Sequence, residues 1–191
     1  MTTHYINITL LPDPEFSHAH LLGALVAKLH RALVQGHITD IGVSYPQHIG
    51  QPLTQRTLGA VLRLHGRPDA LQRLMEQDWL KGMRDHTQIS ELSPAPADAQ
   101  HRTVRRRQFK TNVDRLRRRR MQRKGETAEQ AAAAIPLGVE RRPDLPFVQL
   151  RSSSTGQPFC LSVEHGPLQL QPVAGTFNAY GLGHEATVPW F

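Results

Sequence analysis

The spacing of apolar residues in the first ninety positions predicts alternating strands and helices. Between residues 5 and 11, every second residue is Ile or Leu, which is the period of a strand with one buried face. After Ser17, a residue suited to an N-cap, leucines recur three and four positions apart to about Val34, and Gly36 is suited to end such a helix. Pro68 opens a second predicted helix, where its missing N–H costs nothing. Further strands are predicted at residues 41–45, 58–65 and 86–92.

The resulting order, β-α-β-β-α-β, predicts a ferredoxin-like domain over residues 1–93. RNA-recognition folds share this order with many unrelated proteins, so the order by itself assigns no function. Residues 93–99 are rich in Pro and Ala, which is typical of a linker. We therefore expect an α+β protein in which residues 94–191 form a second, β-rich domain.

The second half of the chain is predicted to begin with helices and to end with strands. The pattern Thr111-x-x-Asp114 resembles a capping box and predicts a helix over about residues 113–124, ended by Gly125. The pattern Thr127-x-x-Gln130 predicts a short alanine-rich helix that closes before Pro136. Four strands are then predicted, at residues 147–152, 159–164, 168–173 and 177–180.

Positive charge is concentrated in one short segment, residues 102–124, which we call the arginine block. It holds ten arginines and two lysines against one acid, Asp114, and so contains 12 of the 23 cationic residues in a chain of net charge +7. The remaining 11 cations face 15 acids, so the rest of the chain is near balance. The positive charges in such a block repel one another unless a polyanion neutralises them. Because the excess of positive charge is confined to this segment, it indicates a surface that binds nucleic acid.

On the predicted helix over residues 113–124, four arginines share one broad face, namely Arg115, Arg118, Arg119 and Arg123. The guanidinium fork suits phosphate and guanine contacts better than an ammonium group does. The alternative is a solvated helix held by salt bridges, but that requires interleaved acids and the block has only one. The block itself distinguishes neither DNA from RNA nor binding from cleavage.

Several other classes of protein find little support. The single cysteine, Cys160, permits no intramolecular disulfide and no Cys-based zinc site. The N-terminus lacks the features of a signal peptide, and no apolar run approaches the roughly 20 residues that span a bilayer. We find no metal-binding motif and no glycine-rich phosphate loop. We therefore expect a cytoplasmic protein without a metal, a cofactor or a membrane partner.

The chain resembles the CRISPR repeat-cleaving endoribonucleases of the subtype I-F system over essentially its whole length, in order. The segments that carry the resemblance are HYINITLLPDPEF, KLH at 28–30, IGVSYP at 41–46, RRRQFKTN into RLRRRRM, LPFVQLRSSSTGQPF at 145–159, HGPLQ at 165–169, and FNAYGLG with the ending VPWF. The resemblance implies an enzyme that binds the repeat stem-loop of precursor CRISPR RNA and cuts at its 3′ base without a metal. The 2′-OH attacks the adjacent phosphate and leaves a 2′,3′-cyclic phosphate and a 5′-OH.

The resemblance also implies partners and catalytic residues. The enzyme is expected to stay bound to the mature guide RNA, beside other CRISPR-associated subunits of the type I-F surveillance complex. His30 matches the catalytic histidine, Ser152 matches the serine that holds the 2′-OH, and Ser154 and Tyr180 match positions that orient the site. Ser153 adds a third consecutive serine, so which hydroxyl acts stays open.

RNA-binding residues follow from the same resemblance. Arg106 and Gln108 match residues that read purines near the base of the stem, and Phe159 matches an aromatic residue that stacks on the terminal base pair. The remaining matches are contacts of the arginine-rich helix with the stem, at Arg118, Arg119 and Arg123, with Arg115 on the same face. Gln122 stands where the family pattern leads us to expect another arginine.

Without the resemblance, the same residues have ordinary structural interpretations. A histidine beside an apolar stripe, as His30 is, more often has a structural role, although histidine also suits general base chemistry near neutral pH. Serine hydroxyls before a turn often cap the local backbone, and Phe159 lies in an alternating strand whose aromatic residue could be core. The alternatives to an endoribonuclease are therefore a non-catalytic RNA hairpin-binding protein and a DNA-binding protein.

Overall fold

The computed structural model describes residues 2–109, 113–136, 138 and 144–191. The chain divides into two compact units, the first made of residues 1–107 and 145–191 and the second of residues 108–144. Nine strands and four α-helices lie in the described residues, which makes the protein a mixed α and β structure, consistent with the predicted α+β class. No helix in those residues is long and apolar enough to cross a membrane. The predicted domain boundary at residues 93 and 94 stays a prediction.

The first unit contains a five-stranded antiparallel sheet with the order β2-β3-β1-β4, in which β5 also pairs with β1. Its strands are β1 (His4–Leu10), β2 (Gly42–Ser44), β3 (Val61–Gly66), β4 (Thr87–Ile89) and β5 (Ser93–Pro94). β1 is central because Ile6, Ile8 and Leu10 are buried on one face and both of its edges are paired. The six predicted elements of this region therefore exist, whereas the ferredoxin-like layout stays a prediction.

A second antiparallel sheet in the same unit has the order β7-β8-β6-β9. Its strands are β6 (Gln100–Arg107), β7 (Phe147–Arg151), β8 (Pro158–His165) and β9 (Thr187–Trp190). The first half of β6 pairs with β9 and the second half with β8. Both neighbours of β6 are distant in the chain, and its residues are mostly polar or charged, with Val104 as the one buried residue. The strand could therefore not be recognised from its own sequence.

Two sequence predictions were wrong in this region, and a third was incomplete. The linker expected at residues 93–99 begins as strand β5, whereas residues 95–99 lie outside any helix or strand, and strand β6, which was not predicted, follows. The strands expected at residues 168–173 and 177–180 do not form; each segment contributes only an isolated bridge, at Gln169 and Phe177. Leu168 and Leu170 are 47% and 77% exposed, so these alternating leucines do not pack against the core.

The helices of the first unit are α1 (His18–Gln35) and α2 (Pro68–Glu76), with short 3-10 helices at Leu53–Gln55, Asp78–Leu80 and Arg84–His86. Ser17 caps α1 by accepting a hydrogen bond from the His20 N–H, and Gly36 ends it, as predicted. Leu25 and Leu29 of α1 belong to one buried cluster together with residues of both sheets, such as Leu62 and Leu161. This packing fixes the helix that carries His30 against both sheets.

The second unit contains helices α3 (Val113–Lys124) and α4 (Ala128–Ala134). Both were predicted, and the capping box of α4 forms between Thr127 and Gln130. The capping box predicted at Thr111 lies outside the described residues. Val113 and Ala131 are the buried apolar residues of the described part of this unit, so its core is small.

Candidate active site and nucleic-acid interface

A cleft of about 470 Å³ opens in the first unit between α1, β6, the β7–β8 hairpin and the turn before Gly181. We call it the His30 cleft. It brings together six residues that were predicted as catalytic or RNA-binding: His30, Arg106, Ser152, Ser154, Phe159 and Tyr180. These residues come from four separate segments of the chain. Their functional roles stay predictions, whereas their location in one cleft is a structural observation.

The ring of His30 is held in one orientation from two sides. Its Nδ1 lies 2.8 Å from the carbonyl oxygen of Ala179, and its ring stacks on Tyr180 with centroids 4.1 Å apart and planes at 8°. A carbonyl oxygen only accepts hydrogen bonds, so Nδ1 carries the proton that it donates. In the neutral ring the lone pair then lies on Nε2, which makes Nε2 the atom able to accept a proton.

A tight turn at residues 178–181 positions both groups that hold His30. The side-chain oxygen of Asn178 accepts hydrogen bonds from the backbone N–H groups of Tyr180 and Leu182, at 2.8 and 3.2 Å. Gly181 has a φ of +70°, and a Cβ at this position would lie 2.4 Å from Cγ2 of Val43. Asn178 and Gly181 were not predicted as positioning residues, although an Asn followed three residues later by Gly is a turn signal.

Ser152 lies where strand β7 enters the hairpin loop. Its Oγ accepts a hydrogen bond from the Thr155 N–H at 3.3 Å and lies 3.1 Å from Oγ of Ser154. The hairpin is closed by hydrogen bonds of the Ser152 backbone to Gln157 and Gly156. The local capping role expected of such a serine is therefore real, and the same hydroxyl also faces the His30 cleft.

Arg106 brings a positive charge into the His30 cleft between two aromatic rings. Its guanidinium carbon lies 5.8 Å from the ring centre of Phe159 and 5.9 Å from that of Tyr180. Within the described residues its buried Nε has no hydrogen-bond partner. Such a donor is costly to leave unpaired, so this guanidinium is suited to an anionic ligand. Phe159 is half-buried against the core and also lines the cleft, and its predicted role in base stacking stays a prediction.

Two further arginines line the His30 cleft, Arg31 and Arg151, and sequence reasoning missed both. Arg31 directly follows His30 on α1, and Arg151 directly precedes Ser152 on β7. Adjacency to the predicted catalytic residues was the only signal available for them. With Arg106, they provide three cations in a cleft that also holds a proton acceptor and the three consecutive serines Ser152 to Ser154. This arrangement is suited to a phosphodiester substrate.

The arginine block separates into structural and exposed cations. On β6, Arg105 and Arg107 pair with Glu164 at 2.6 and 3.2 Å.

On α3, Arg117 donates to the carbonyl oxygen of Ile135 at 2.9 Å. Arg120 pairs with Glu126, and this pairing lowers the pKa of the Glu126 carboxyl. The four arginines predicted to share one face are all exposed: Arg115, Arg118, Arg119 and Arg123. Acids from outside the block therefore neutralise part of it.

Gln108, predicted to read a purine with Arg106, is exposed and is the first residue of the second unit. Its partner Arg106 belongs to the first unit. The purine-reading role of the two residues stays a prediction.

Among the residues that the structure describes, no three His, Cys, Asp or Glu side chains are grouped closely enough to hold a metal ion.

Comparison with known proteins extends over nearly the whole chain. A model of the family "CRISPR-associated protein (Cas_Csy4)" matches residues 5–191. The chain is 46% identical to the CRISPR-associated endonuclease Cas6/Csy4 of Pseudomonas aeruginosa (strain UCBPP-PA14), over 98% of this chain and 99% of that protein. It is 45% identical, with the same coverage, to the protein of the same name from Escherichia coli (strain UTI89 / UPEC).

Proposed function

Because this chain belongs to the CRISPR-associated Cas_Csy4 family, we propose that it is an endoribonuclease that processes precursor CRISPR RNA. It binds the repeat stem-loop and cuts at its 3′ base without a metal. The observation that carries this proposal is the His30 cleft, where a histidine whose Nδ1 is engaged by a carbonyl, three serines and three arginines line one cavity.

The proposed reaction is an intramolecular transesterification. Nε2 of His30 takes the proton of the 2′-OH, the 2′ oxygen bonds to the adjacent phosphorus, and the bond from phosphorus to the 5′ oxygen breaks. The departing 5′ oxygen takes up a proton from water, and the protonated His30 returns its proton to water, which yields a 2′,3′-cyclic phosphate and a 5′-OH and restores the neutral histidine. Holding the 2′-OH in line with the phosphate supplies a large part of the rate, and we assign this task to Ser152 with support from Ser154.

Tyr180 and Arg106 complete the proposed site. Tyr180 stacks on the imidazole and fixes the orientation of the ring, while the Ala179 carbonyl keeps the proton on Nδ1 so that Nε2 stays the acceptor. Arg106 offsets the charge that develops on the phosphate. Phe159, which lines the cleft, stacks on the base pair at the cleavage end in this proposal. Because DNA lacks the 2′-OH, the proposed reaction is specific for RNA.

The exposed arginines of α3 are proposed to hold the stem of the repeat, with Arg106 and Gln108 reading purines near its base. We also propose that the enzyme keeps its product, the mature guide RNA, and joins other CRISPR-associated subunits of a type I-F surveillance complex in the cytoplasm. For residues 1–93 we keep the ferredoxin-like layout as a proposal, supported by the strand order β4-β1-β3-β2.

The test is cleavage of the host's own repeat RNA in excess EDTA, with the product ends mapped. The expected result is one cut at the 3′ base of the hairpin that leaves a cyclic phosphate, and no cut when the attacking nucleotide carries a 2′-deoxy sugar. Tight binding without cleavage, with or without added magnesium, would replace the enzyme by a hairpin-binding protein. Equal affinity for a DNA hairpin of the same sequence would favour the DNA-binding alternative.

A further inference from the structure

The chain from residue 166 to residue 173 crosses the start of β6 and is held at two points. Gln169 and His101 of β6 exchange two backbone hydrogen bonds, each of 2.8 Å. Further on, the Val173 N–H donates to Oγ1 of Thr187 at 2.8 Å, and the Thr187 N–H donates to the Val173 carbonyl oxygen at 3.0 Å. We call residues 166–173 the crossing segment. Contacts with β6 and β9 fix its backbone.

The crossing segment holds three apolar side chains toward solvent. Leu168, Leu170 and Val173 are 47%, 77% and 42% exposed. Residues 166–176 contain no charged side chain, although 20% of the whole chain is charged. Single exposed apolar residues are ordinary on a protein surface, but a cluster of them on an anchored backbone forms a patch, and such patches mark interaction sites.

The outer edge of the crossing segment also has unpaired backbone groups. Because Gln169 turns its N–H and C=O toward β6, the planar peptide bonds on either side turn the Leu168 C=O and the Leu170 N–H away from β6. Neither group has a hydrogen-bond partner among the described residues. The pairing of β7 with β8 stops at Phe147 and Ser162, so β7 does not cover this edge. An acceptor and a donor side by side at an open edge fit the backbone of one more extended strand.

A pocket of about 250 Å³ adjoins the crossing segment. Pro172 and Val173 line it together with His101, the residue that pairs with Gln169. None of the described residues that line the pocket is Asp, Glu, Lys or Arg. An edge for backbone pairing, exposed leucines and an uncharged pocket therefore lie next to one another.

Charge and area decide which kind of partner fits this surface. A nucleic-acid strand needs cations to neutralise its phosphates, and the crossing segment has none. A stable dimer buries roughly 800 Å² on each partner, which is far more than three side chains and one small pocket supply for a second copy of this chain. A different subunit bound to the same guide RNA needs less area, because the shared RNA raises its effective concentration.

We infer that the crossing segment and the adjoining pocket bind an extended, uncharged segment of another protein subunit assembled on the same guide RNA. The inference rests on the proposed function, in which this protein stays on the mature guide RNA beside other CRISPR-associated subunits. The partner segment pairs its backbone with Leu168 and Leu170 and places an apolar side chain in the pocket. The crossing segment shares no residue with the lining of the His30 cleft or with α3, so docking leaves RNA binding and cleavage unchanged.

The test titrates the purified CRISPR-associated subunits of the same host onto this protein bound to its guide RNA. Leu170→Lys places a charge on the patch, so it should weaken association of those subunits by about tenfold, the effect of losing one well-packed interface residue. Cleavage of the repeat hairpin and affinity for its product should stay within about twofold of wild type, because the substitution lies outside the RNA-binding residues. Ile89→Lys is the matched control, since it adds the same charge at a 40% exposed residue of β4, in the other sheet, and should assemble normally.

A photo-crosslinking amino acid in place of Leu170 gives a direct measurement and should crosslink to one other protein subunit in the assembled complex. A crosslink to RNA or to a second copy of this chain would overturn the inference, as would equal assembly of Leu170→Lys and wild type. Slower cleavage or weaker hairpin binding by Leu170→Lys would assign the surface to RNA and overturn it too. If the wild-type protein cuts normally while the variant assembles normally, the docking surface fails and the proposed endonuclease stands.

Discussion

The His30 cleft and the arginine helix α3 bring functional side chains together in opposite ways. In α3, the four exposed arginines lie within nine consecutive residues and share a face because of the helical period. In the cleft, His30 and the Ala179 carbonyl that orients it are 149 residues apart. The candidate polyanion-binding surface of α3 can thus be recognised from local composition, whereas the geometry of the candidate active site depends on packing between distant segments.

The two regions also differ in what their charges do. In α3, Arg117 and Arg120 form contacts within their own unit, whereas Arg118, Arg119 and Arg123 are exposed. In the cleft, the guanidinium of Arg106 lies between two rings with a buried donor that has no partner in the described residues. We therefore expect substitutions in the cleft to change the rate of cleavage and substitutions in α3 to change affinity.

The largest expected effect is on the cleft. His30→Ala removes the proton acceptor, so the cleavage rate under single-turnover conditions should fall by about 10³-fold. The dissociation constant for an uncleavable hairpin should change less than about threefold, because α3 is untouched. His184→Ala is the matched control, since His184 is an exposed histidine outside the cleft lining. If His30→Ala weakened binding as much as it slowed cleavage, the assignment of cleavage to the cleft and of affinity to α3 would be wrong.

A second experiment separates the three serines. Ser152→Ala should slow cleavage by about 10²-fold, because the hydroxyl that positions the nucleophile and also holds the Thr155 N–H is removed. Ser154→Ala should have a smaller effect through the 3.1 Å contact, and Ser153→Ala the smallest. Single-turnover rates at saturating protein measure this ranking. If Ser153→Ala is the slowest variant, the assignment of the positioning hydroxyl is wrong.

In α3, the double substitution Arg118→Ala with Arg119→Ala should weaken binding of the uncleavable hairpin by tens of fold. It should lower the slope of log affinity against log salt by roughly two, one for each phosphate that the protein no longer neutralises. Arg117→Ala is the matched control, because Arg117 donates to Ile135 and should affect the slope much less. An unchanged slope in the double variant would remove α3 as the phosphate-binding surface.

The smallest effect concerns the stability of the first unit, which contains all eleven histidines of the chain. Burial lowers the pKa of His65 to about 3, and burial, with His48 and Arg102 nearby, lowers that of His165 to about 3. The unfolded chain takes up these protons near pH 6.5 and the folded chain does not, so unfolding becomes more favourable as pH falls from 6.5 toward 3. Each group contributes ~1.4 kcal/mol per pH unit.

Denaturant unfolding at pH 7.5, 6.0 and 5.0 measures this slope. His165→Phe keeps a ring to stack on His48 and Trp190 but cannot be protonated, so it should reduce the slope by about one proton. Hydrogen-exchange protection factors in α3 and α4, which are corrected for the intrinsic pH dependence of amide exchange, should change little over the same pH range because this unit has no histidine. A slope that is the same in His165→Phe would show that this histidine does not contribute.

Several features of this protein were determined by sequence alone. The ends of α1 at Ser17 and Gly36, the opening of α2 at Pro68, the bounds of α3 and the capping box at Thr127 were all predicted and confirmed. Membership of the family was also recognisable from short motifs. Caps and helical periods depend on residues within about four positions of one another, so the sequence contains all the information that they need.

Tertiary structure decided the rest. Strand β6 exists because β8 and β9 pair with it, and the leucines at 168 and 170 do not form a strand because no core surface covers them. The proton position on His30 depends on the Ala179 carbonyl, and the turn that presents it depends on a glycine pressed against Val43. Each of these contacts joins segments that are distant in the chain, so it cannot be predicted from the spacing of neighbouring residues.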